Sequence, residues 1–174
     1  MEQGRRGPCL VRLNRGGFAD VVSVSCPTAV FCGATGLYTD GRGHIQSFVV
    51  TRKGGRWNRA LEVPGLGRLN VGGDAESSAV SCWTTGSCSV AGVYTDASGN
   101  QQAFVVTELR NRWGRAAELP GIARLDRGES AGINSVSCVK GTCAAGGGYQ
   151  RGDTTEAFVV TGRKLLPISE GNAG

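Results

Sequence analysis

The sequence lacks the uninterrupted stretches that long helices and membrane spans require. Glycine supplies 29 of its 174 residues, more than twice the usual share of about 7%. The longest segment free of glycine and proline runs only from Asn100 to Trp113, and glycine costs about 1 kcal/mol at each helical position. No run approaches the roughly 18 apolar residues of a transmembrane helix. The composition therefore predicts a protein without long helices and without a membrane segment.

Charge of one sign is not concentrated anywhere in the chain. The 19 lysines and arginines and 14 acidic residues give a formal net charge of +5, and the two signs are interspersed along the whole sequence. A nucleic-acid-binding protein would cluster its basic residues and carry a recognisable motif, which this sequence does not contain. We therefore expect a solvated surface of mixed charge and no specific nucleic-acid partner.

What the sequence does contain is an internal repeat with a period of about 56 residues. The segment at residues 22–40 returns twice, so that its first cysteine recurs as Cys26, Cys82 and Cys138. Further landmarks keep the same register: the FVVT strings that begin at Phe48, Phe104 and Phe158, and the pairs Trp57 and Trp113, Pro64 and Pro120, Leu69 and Leu125. This register predicts tandem structural units.

Each unit is predicted to form four short antiparallel strands. Alternation around Val22 and Val24 has the two-residue period of a half-buried strand. Small residues alternate after Cys32 and indicate a second strand close to a neighbouring backbone. A turn of Asp and Gly then leads to the third strand at Phe48. A polar hairpin is followed by Trp57 and a fourth strand, which ends in Glu-Val-Pro-Gly.

Four-stranded repeats at a fixed period predict an all-β, partial β-propeller-like fold, and the alternative is a β-trefoil. The predicted units are approximately 15–70, 71–126 and 127–167, within a single repeat domain of residues 1–174. Residues 1–14 match the end of a preceding unit, and residues 168–174 form a tail. An open array tolerates such ragged ends better than a closed threefold structure, which favours the propeller-like arrangement.

The repeat unit resembles a known class of bacterial sequence. Its pattern, SVSC…C…YTD…AFVV…W…EVPG, resembles tandem repeats of uncharacterised and often exported proteins of high-GC bacteria. The likeness covers residues 8–161. The resemblance implies a repeated, β-propeller-like fold, but it implies no activity, because the family carries none that can be transferred. Members generally have more repeats and a leader sequence.

Six of the seven cysteines form three close pairs. A hairpin would bring the members of each pair within disulfide distance; the pairs are Cys26–Cys32, Cys82–Cys88 and Cys138–Cys143. Their recurrence favours disulfides over reduced thiols, and therefore an extracellular, oxidising compartment. The first ten residues nevertheless contain no apolar core of a signal peptide. Cys9 has no counterpart, and we expect it to remain free. Zinc is not expected, because His44 is the only histidine.

No catalytic residue is predicted. Residues 128–132 spell GESAG, but a G-x-S-x-G nucleophile needs a strand–turn–helix context and a later histidine. Residues 151–153 spell RGD, which also suits an ordinary turn. The repeated carboxylates are expected to serve structure, with the aspartates capping turns; they are Asp40, Asp96, Glu62 and Glu118.

The best sequence candidate for binding is the hairpin before the fourth strand. It places arginines beside a tryptophan in two units: Arg56, Trp57 and Arg59, and again Arg112, Trp113 and Arg115. Such a surface could stack on sugars or bind an acidic polymer through guanidinium groups. The alternative is a tryptophan buried between units with solvated arginines around it.

The sequence thus predicts a non-catalytic recognition or scaffold module that binds a glycan or a protein and needs no cofactor. The alternatives are a partial chain of a glycan-cleaving propeller enzyme or a remnant of a longer repeat protein. Open strand edges at both ends also predict self-association, and two copies related by a twofold axis would supply six units.

Overall fold

The computed structural model describes residue 10 and residues 12–163, and this part of the chain is all-β. Its strands form three antiparallel sheets that follow one another in sequence. The predicted fold class, all-β with antiparallel strands, is confirmed. No helix in the described part is long and apolar enough to cross a membrane.

The first sheet is a meander of three long strands and two very short ones. The long strands are β1 (Ala19–Thr28), β2 (Phe31–Thr39) and β3 (Ile45–Lys53). Two two-residue strands, β4 (Arg56–Trp57) and β5 (Leu61–Glu62), both pair with β3. The expected fourth strand is therefore interrupted, because residues 58–60, which lie between β4 and β5, belong to neither strand.

The second sheet repeats this order 56 residues later. It consists of β6 (Ala75–Thr84), β7 (Ser87–Thr95), β8 (Gln101–Leu109), β9 (Arg112–Trp113) and β10 (Ala117–Glu118). Here too the last two strands both pair with β8. The repeat in the sequence thus corresponds to a repeat in strand order.

The third sheet contains β11 (Ala131–Val139), β12 (Thr142–Arg151) and β13 (Thr154–Arg163). Its fourth-strand region lies outside the described residues. A single 3-10 turn lies between successive sheets, at Leu66–Arg68 and at Ile122–Arg124.

The first strand of every sheet carries a β-bulge that changes which residues face the neighbouring sheet. In β1 the register shifts between Val21 and Ser23, so that Val21 and Val24, rather than Val22 and Val24, point to the same side. The same shift occurs between Ser77 and Ala79 in β6. The simple alternation predicted for this strand is therefore wrong at Val21 and Val22, where the bulge inserts one residue, although it holds from Ser23 to Ser25.

Small residues in the second strand allow a very close backbone approach at the bulge, as predicted. A Cβ atom added to Gly36 would overlap the carbonyl oxygen of Asp20 in β1. Gly92 stands in the same relation to the carbonyl oxygen of Glu76. Only glycine fits at these positions, which explains why the second strands are glycine-rich.

Two of the three hydrophobic clusters lie between sheets, and the third lies on the first sheet against Leu10 and Leu13. Strand β6 contacts β1, β2 and β3, and β11 contacts β6, β7 and β8. Between the first two sheets, Phe31 and Val49 pack against Val80 and Phe104. Between the second and third, Val105 packs with Ile133 and Phe158. The second sheet therefore buries one face against the first sheet and the other against the third.

Serine hydroxyls connect the first strands of neighbouring sheets. Ser23 Oγ accepts a hydrogen bond from the backbone N–H of Val80 at 3.2 Å, and Ser25 Oγ from that of Cys82 at 2.9 Å. One unit later, Ser81 Oγ accepts from the N–H of Cys138, also at 2.9 Å. The same contact is thus made at both internal boundaries.

The three predicted disulfides are present, as Cys26–Cys32, Cys82–Cys88 and Cys138–Cys143. Each joins the end of the first strand to the start of the second, with Cα atoms 3.9–4.1 Å apart. Such bridges indicate an oxidising environment. Cys9, which was predicted to be free, lies outside the described residues.

Candidate functional site

The structure places the two tryptophan–arginine hairpins in different environments. Trp57 is 42% exposed in β4, and Arg56 and Arg59 beside it are exposed. Trp113 in β9, by contrast, packs against the core between the first and second sheets. The two tryptophans occupy equivalent positions but differ in environment, because only Trp113 has a preceding sheet in the described structure to pack against.

The arginines of the second hairpin remain on the surface. Arg112 and Arg115 are exposed. Trp113 instead borders a groove of about 180 Å³ together with Arg59, Lys53 and Glu108. The structure therefore brings one arginine from the first hairpin to the tryptophan of the second, and it does not form two identical ledges.

A larger cleft, of about 370 Å³, opens at the turn between β2 and β3 and was not predicted. We call it the arginine cleft. It is lined by Arg12, Leu13, Arg15, Tyr38, Asp40, Gly41, Arg42 and Glu62. These residues come from three separate parts of the chain, so that only the folded structure brings them together.

The floor of the arginine cleft is held by the hydrogen bond between Tyr38 and Glu62. The Tyr38 hydroxyl donates to Glu62 Oε2 at 2.9 Å, while the rest of the Tyr38 side chain is buried. Burial, followed by the hydrogen bond to Glu62, raises the pKa of Tyr38 above its usual value. Tyr38 therefore remains neutral and fixes the position of the Glu62 carboxylate.

Asp40 caps the turn at the edge of the cleft, as predicted. Its Oδ1 accepts hydrogen bonds from the backbone N–H groups of Arg42 at 2.7 Å and His44 at 3.0 Å. Partial burial acts to raise the pKa of Asp40, but these N–H donors outweigh it and lower the pKa. His44 Nδ1 lies 3.9 Å from Asp40 Oδ2. Asp40 is thus an ionised structural residue, and His44 is an exposed neighbour.

The arginines of the cleft are not tied to a carboxylate within the described structure. Arg12, Arg15 and Arg42 are all exposed, and His44–Asp40 is the one ion pair found among the described residues. Three guanidinium groups therefore line the cleft together with two carboxylates. Glu62 accepts a hydrogen bond from Tyr38, and Asp40 accepts hydrogen bonds from the backbone of its turn. Donors in this cleft remain available to a ligand.

The second unit shows which parts of the cleft are structural. It keeps the tyrosine, aspartate and glutamate as Tyr94, Asp96 and Glu118. Burial, then the charges of Glu118 and Asp96, raises the pKa of Tyr94 to about 12. Asp96 Oδ1 accepts the N–H groups of Ser98 and Asn100, as Asp40 does in its own turn. These repeated residues therefore support the fold.

Two of the three arginines are not repeated. The positions equivalent to Arg15 and Arg42 are Val71 and Ser98 in the second unit. The second unit instead has a buried aspartate, Asp126, where the first has Asn70. Burial, then the charges of Asp126 and Asp96, raises the pKa of Glu118. The arginine cleft is therefore specific to the first unit. Aligning the units and reading the non-repeated charges would have revealed it.

The other sequence motifs adopt ordinary structure. Ser130 of GESAG lies just before β11, and its Oγ accepts the Gln101 N–H at 3.2 Å. No helix follows it. Gly152 and Asp153 of RGD form the turn between β12 and β13, as predicted. Across residue 10 and residues 12–163, no group of three or more His, Cys, Asp or Glu residues could hold a metal ion.

Comparison with known proteins gives no family for this chain: no protein-family model and no curated protein matches it.

Proposed function

We propose that this protein is a non-catalytic, exported recognition module with a propeller-like arrangement of its sheets, and that it binds an acidic glycan in the arginine cleft. The observation that carries the proposal is the presence of Arg15 and Arg42 in a cleft whose other polar residues recur in the second unit. Residues that recur in the second unit serve both units alike, whereas the two added arginines serve a task of the first unit alone.

The chemistry of the cleft fits a carboxylated sugar. A guanidinium group presents a planar fork of donors that matches a carboxylate in a bidentate geometry. Asp40 and Glu62 are oriented by their own hydrogen bonds and present oxygens that can accept from sugar hydroxyl groups. The cleft is open to solvent, which suits a chain passing over the surface rather than a small enclosed substrate.

The proposal of binding without catalysis follows from the roles of the carboxylates. General acid–base cleavage of a glycosidic bond requires two carboxyl groups free to exchange protons with the substrate. Glu62 accepts a hydrogen bond from the Tyr38 hydroxyl. Asp40 accepts backbone N–H groups of its turn, and its pKa is lowered. Equivalent pairs in the second unit have the same structural partners. We therefore assign these residues to positioning the cleft.

Export is supported by the three disulfides, and the propeller-like arrangement by the order of the strands. The first strands β1, β6 and β11 lie in succession against one another, and each sheet continues outward as a meander. This is the order of strands within propeller blades.

The test replaces the cleft arginines with the residues found at the equivalent positions of the second unit. Arg15→Val and Arg42→Ser install the residues of the second unit, so that folding is expected to be unaffected. Calorimetric titration with a uronic-acid oligosaccharide should show affinity about tenfold weaker for each variant, since a charge-assisted hydrogen bond contributes roughly 1.5–3 kcal/mol. Arg124→Ala, an exposed arginine outside the cleft, is the matched control.

Three results would contradict the proposal. The first is equal binding of the neutral oligosaccharide with the same linkage, and the second is unchanged affinity of the double variant. The third is release of shortened oligosaccharides, which would favour the glycan-cleaving enzyme instead. A gain-of-function experiment adds arginines to the second unit by Val71→Arg and Ser98→Arg. This variant should bind the uronic-acid oligosaccharide at a second site.

A further inference from the structure

Equivalent positions in the three units differ sharply in exposure, and the differences fall on two faces. In the first unit Val21 is 49% and Val24 55% exposed, whereas the equivalent Ser77 and Val80 are 2% and 7% exposed. The covering of Val80 comes from the preceding sheet, through Phe31 and Val49. We define the leading face as the side of the first sheet that carries Val21, Val24, Cys26 and Trp57.

The third unit shows the complementary difference. Val49 and Val105 are 0% and 1% exposed because the following sheet covers them, but the equivalent Val159 is 78% exposed. Ala103 and Thr107 in β8 are likewise buried, whereas Ala157 and Thr161 are exposed. We define the trailing face as the side of the third sheet that carries Ser137, Ala144, Ala157, Val159 and Thr161.

The two faces are the two halves of an interface that the chain already forms twice. At each internal boundary a serine Oγ on the trailing side accepts from a cysteine N–H on the leading side, as Ser25 does from Cys82 and Ser81 from Cys138. The equivalent groups on the trailing and leading faces are the Ser137 hydroxyl, which is exposed, and the backbone N–H of Cys26.

The disulfides supply a second matching contact. The Cys82–Cys88 bridge lies against Gly33 of the preceding sheet, and Cys143 Sγ lies 3.7 Å from Ser89 Oγ. The position equivalent to Gly33 and Ser89 is Ala144 on the trailing face, and the equivalent bridge is Cys26–Cys32 on the leading face. Cys26 is exposed in this structure, whereas Cys82 and Cys138 are buried.

We propose that the trailing face of one copy docks on the leading face of a second copy, by the same hydroxyl, disulfide and valine contacts that join the internal units. Because the two faces differ, the contact is head-to-tail, and such interfaces form a ring when the rotation closes. Two copies would bring six units together, which lies within the four to eight blades of known propellers. This proposal does not depend on glycan binding.

The test uses one charged substitution on each face. Val24→Glu on the leading face and Val159→Glu on the trailing face each place a carboxylate in the proposed contact. Light scattering coupled to size-exclusion chromatography should give twice the 18.0 kDa chain mass for the wild-type protein and less association for either variant alone. Val71→Glu, at a valine that is 66% exposed and lies on neither face, should behave as wild type.

Mixing the two variants distinguishes a head-to-tail contact from any other. The Val24→Glu chain keeps its trailing face and the Val159→Glu chain keeps its leading face, so that an equimolar mixture should form an open dimer with one intact interface. Circular dichroism of each variant checks that it remains folded. A wild-type monomer at all concentrations, an effect of only one substitution, or no dimer in the mixture of folded variants would each overturn the proposal.

Discussion

Gly33 in β2 lies directly against the disulfide of the next unit: a Cβ atom added to Gly33 would sit 2.7 Å from Cys82 Sγ and 2.9 Å from Cys88 Sγ. The backbone of one sheet thus rests on the sulfur atoms of its neighbour. The disulfide serves the boundary between units as well as its own hairpin, which explains why Cys88 is completely buried.

The first prediction is that Gly33→Ala destabilises the protein. The added methyl group meets a rigid bridge between two packed sheets, and such overpacking costs about 1–3 kcal/mol. Denaturant unfolding at fixed pH measures the loss. Gly146→Ala in β12 is the matched control, because its Cβ would have no neighbour closer than 3.6 Å. Equal stability of the two variants would show that the boundary is looser than described.

The second prediction concerns the disulfides. Removing a bridge that closes so short a loop costs about 2 kcal/mol in the chain-entropy account. The Cys82→Ser/Cys88→Ser variant should lose more than this, because it also places hydroxyl groups in the core between sheets. The Cys26→Ser/Cys32→Ser variant should lose less stability than the Cys82→Ser/Cys88→Ser variant, since Cys26 is exposed and a hydroxyl group there remains in contact with solvent. Thermal unfolding compares the two.

Peptide mapping of the oxidised protein provides the control for the disulfide prediction. It should recover only links within units, Cys26–Cys32, Cys82–Cys88 and Cys138–Cys143. Links between units would contradict both the hairpin pairing and the order of the sheets.

The third prediction is a pH-dependent gain in stability for Glu108→Gln. Glu108 is 2% exposed, and its Oε2 has no hydrogen-bond partner among the described residues. Burial raises the pKa of Glu108, although Lys53 acts in the opposite direction. A raised pKa means that the folded protein holds this proton more tightly than the unfolded chain does. The contribution of the protonated Glu108 carboxyl to stability is therefore complete below the pKa of the unfolded chain, about 4.5. This contribution is lost as the pH rises through the pKa of Glu108 in the folded protein.

Glu108→Gln should accordingly be more stable than wild type at pH 7, by about 1 kcal/mol. The advantage should shrink towards pH 4, where the wild-type carboxyl is also protonated. Urea unfolding at both values measures the difference. Glu76→Gln, at an exposed position in β6, should change stability by less than about 0.5 kcal/mol. A variant less stable than wild type at pH 7 would show that Lys53 dominates the environment of Glu108.

The fourth prediction is that Asp96→Ala weakens the turn between β7 and β8. The substitution removes the acceptor of two backbone hydrogen bonds, from Ser98 at 2.8 Å and Asn100 at 3.0 Å. We expect a loss of about 1–2 kcal/mol and faster amide hydrogen exchange at both donors. Asp153→Ala, in the two-residue turn between β12 and β13, should have little effect. If both substitutions behaved alike, the aspartate capping would contribute nothing measurable.

Much of the local structure could be predicted because it depends on residues close together in sequence. The turn at Asp40 follows from a carboxylate placed two and four residues before free N–H groups. The bridge between Cys82 and Cys88 follows from a tight hairpin, in which these residues are direct cross-strand partners. Neither feature requires knowledge of the rest of the fold.

The features that could not be predicted depend on which units lie next to one another. Trp57 and Trp113 have the same sequence context, but only Trp113 has a neighbouring sheet against it in the described structure. The bulge after Val21 exchanges the faces of β1, which the alternation of valine and serine does not reveal.

The sequence by itself determined the all-β repeat, its period, the cysteine pairing and the aspartate turns, because each rests on local backbone preference or on short loop closure. Tertiary structure decided which faces are covered and which charges meet. Arg12 and Arg15 reach Arg42 and Glu62 only through the packing of Leu10 and Leu13 against the first sheet. Burial and charge proximity are properties of long-range contacts, and a pattern read along one strand does not contain them.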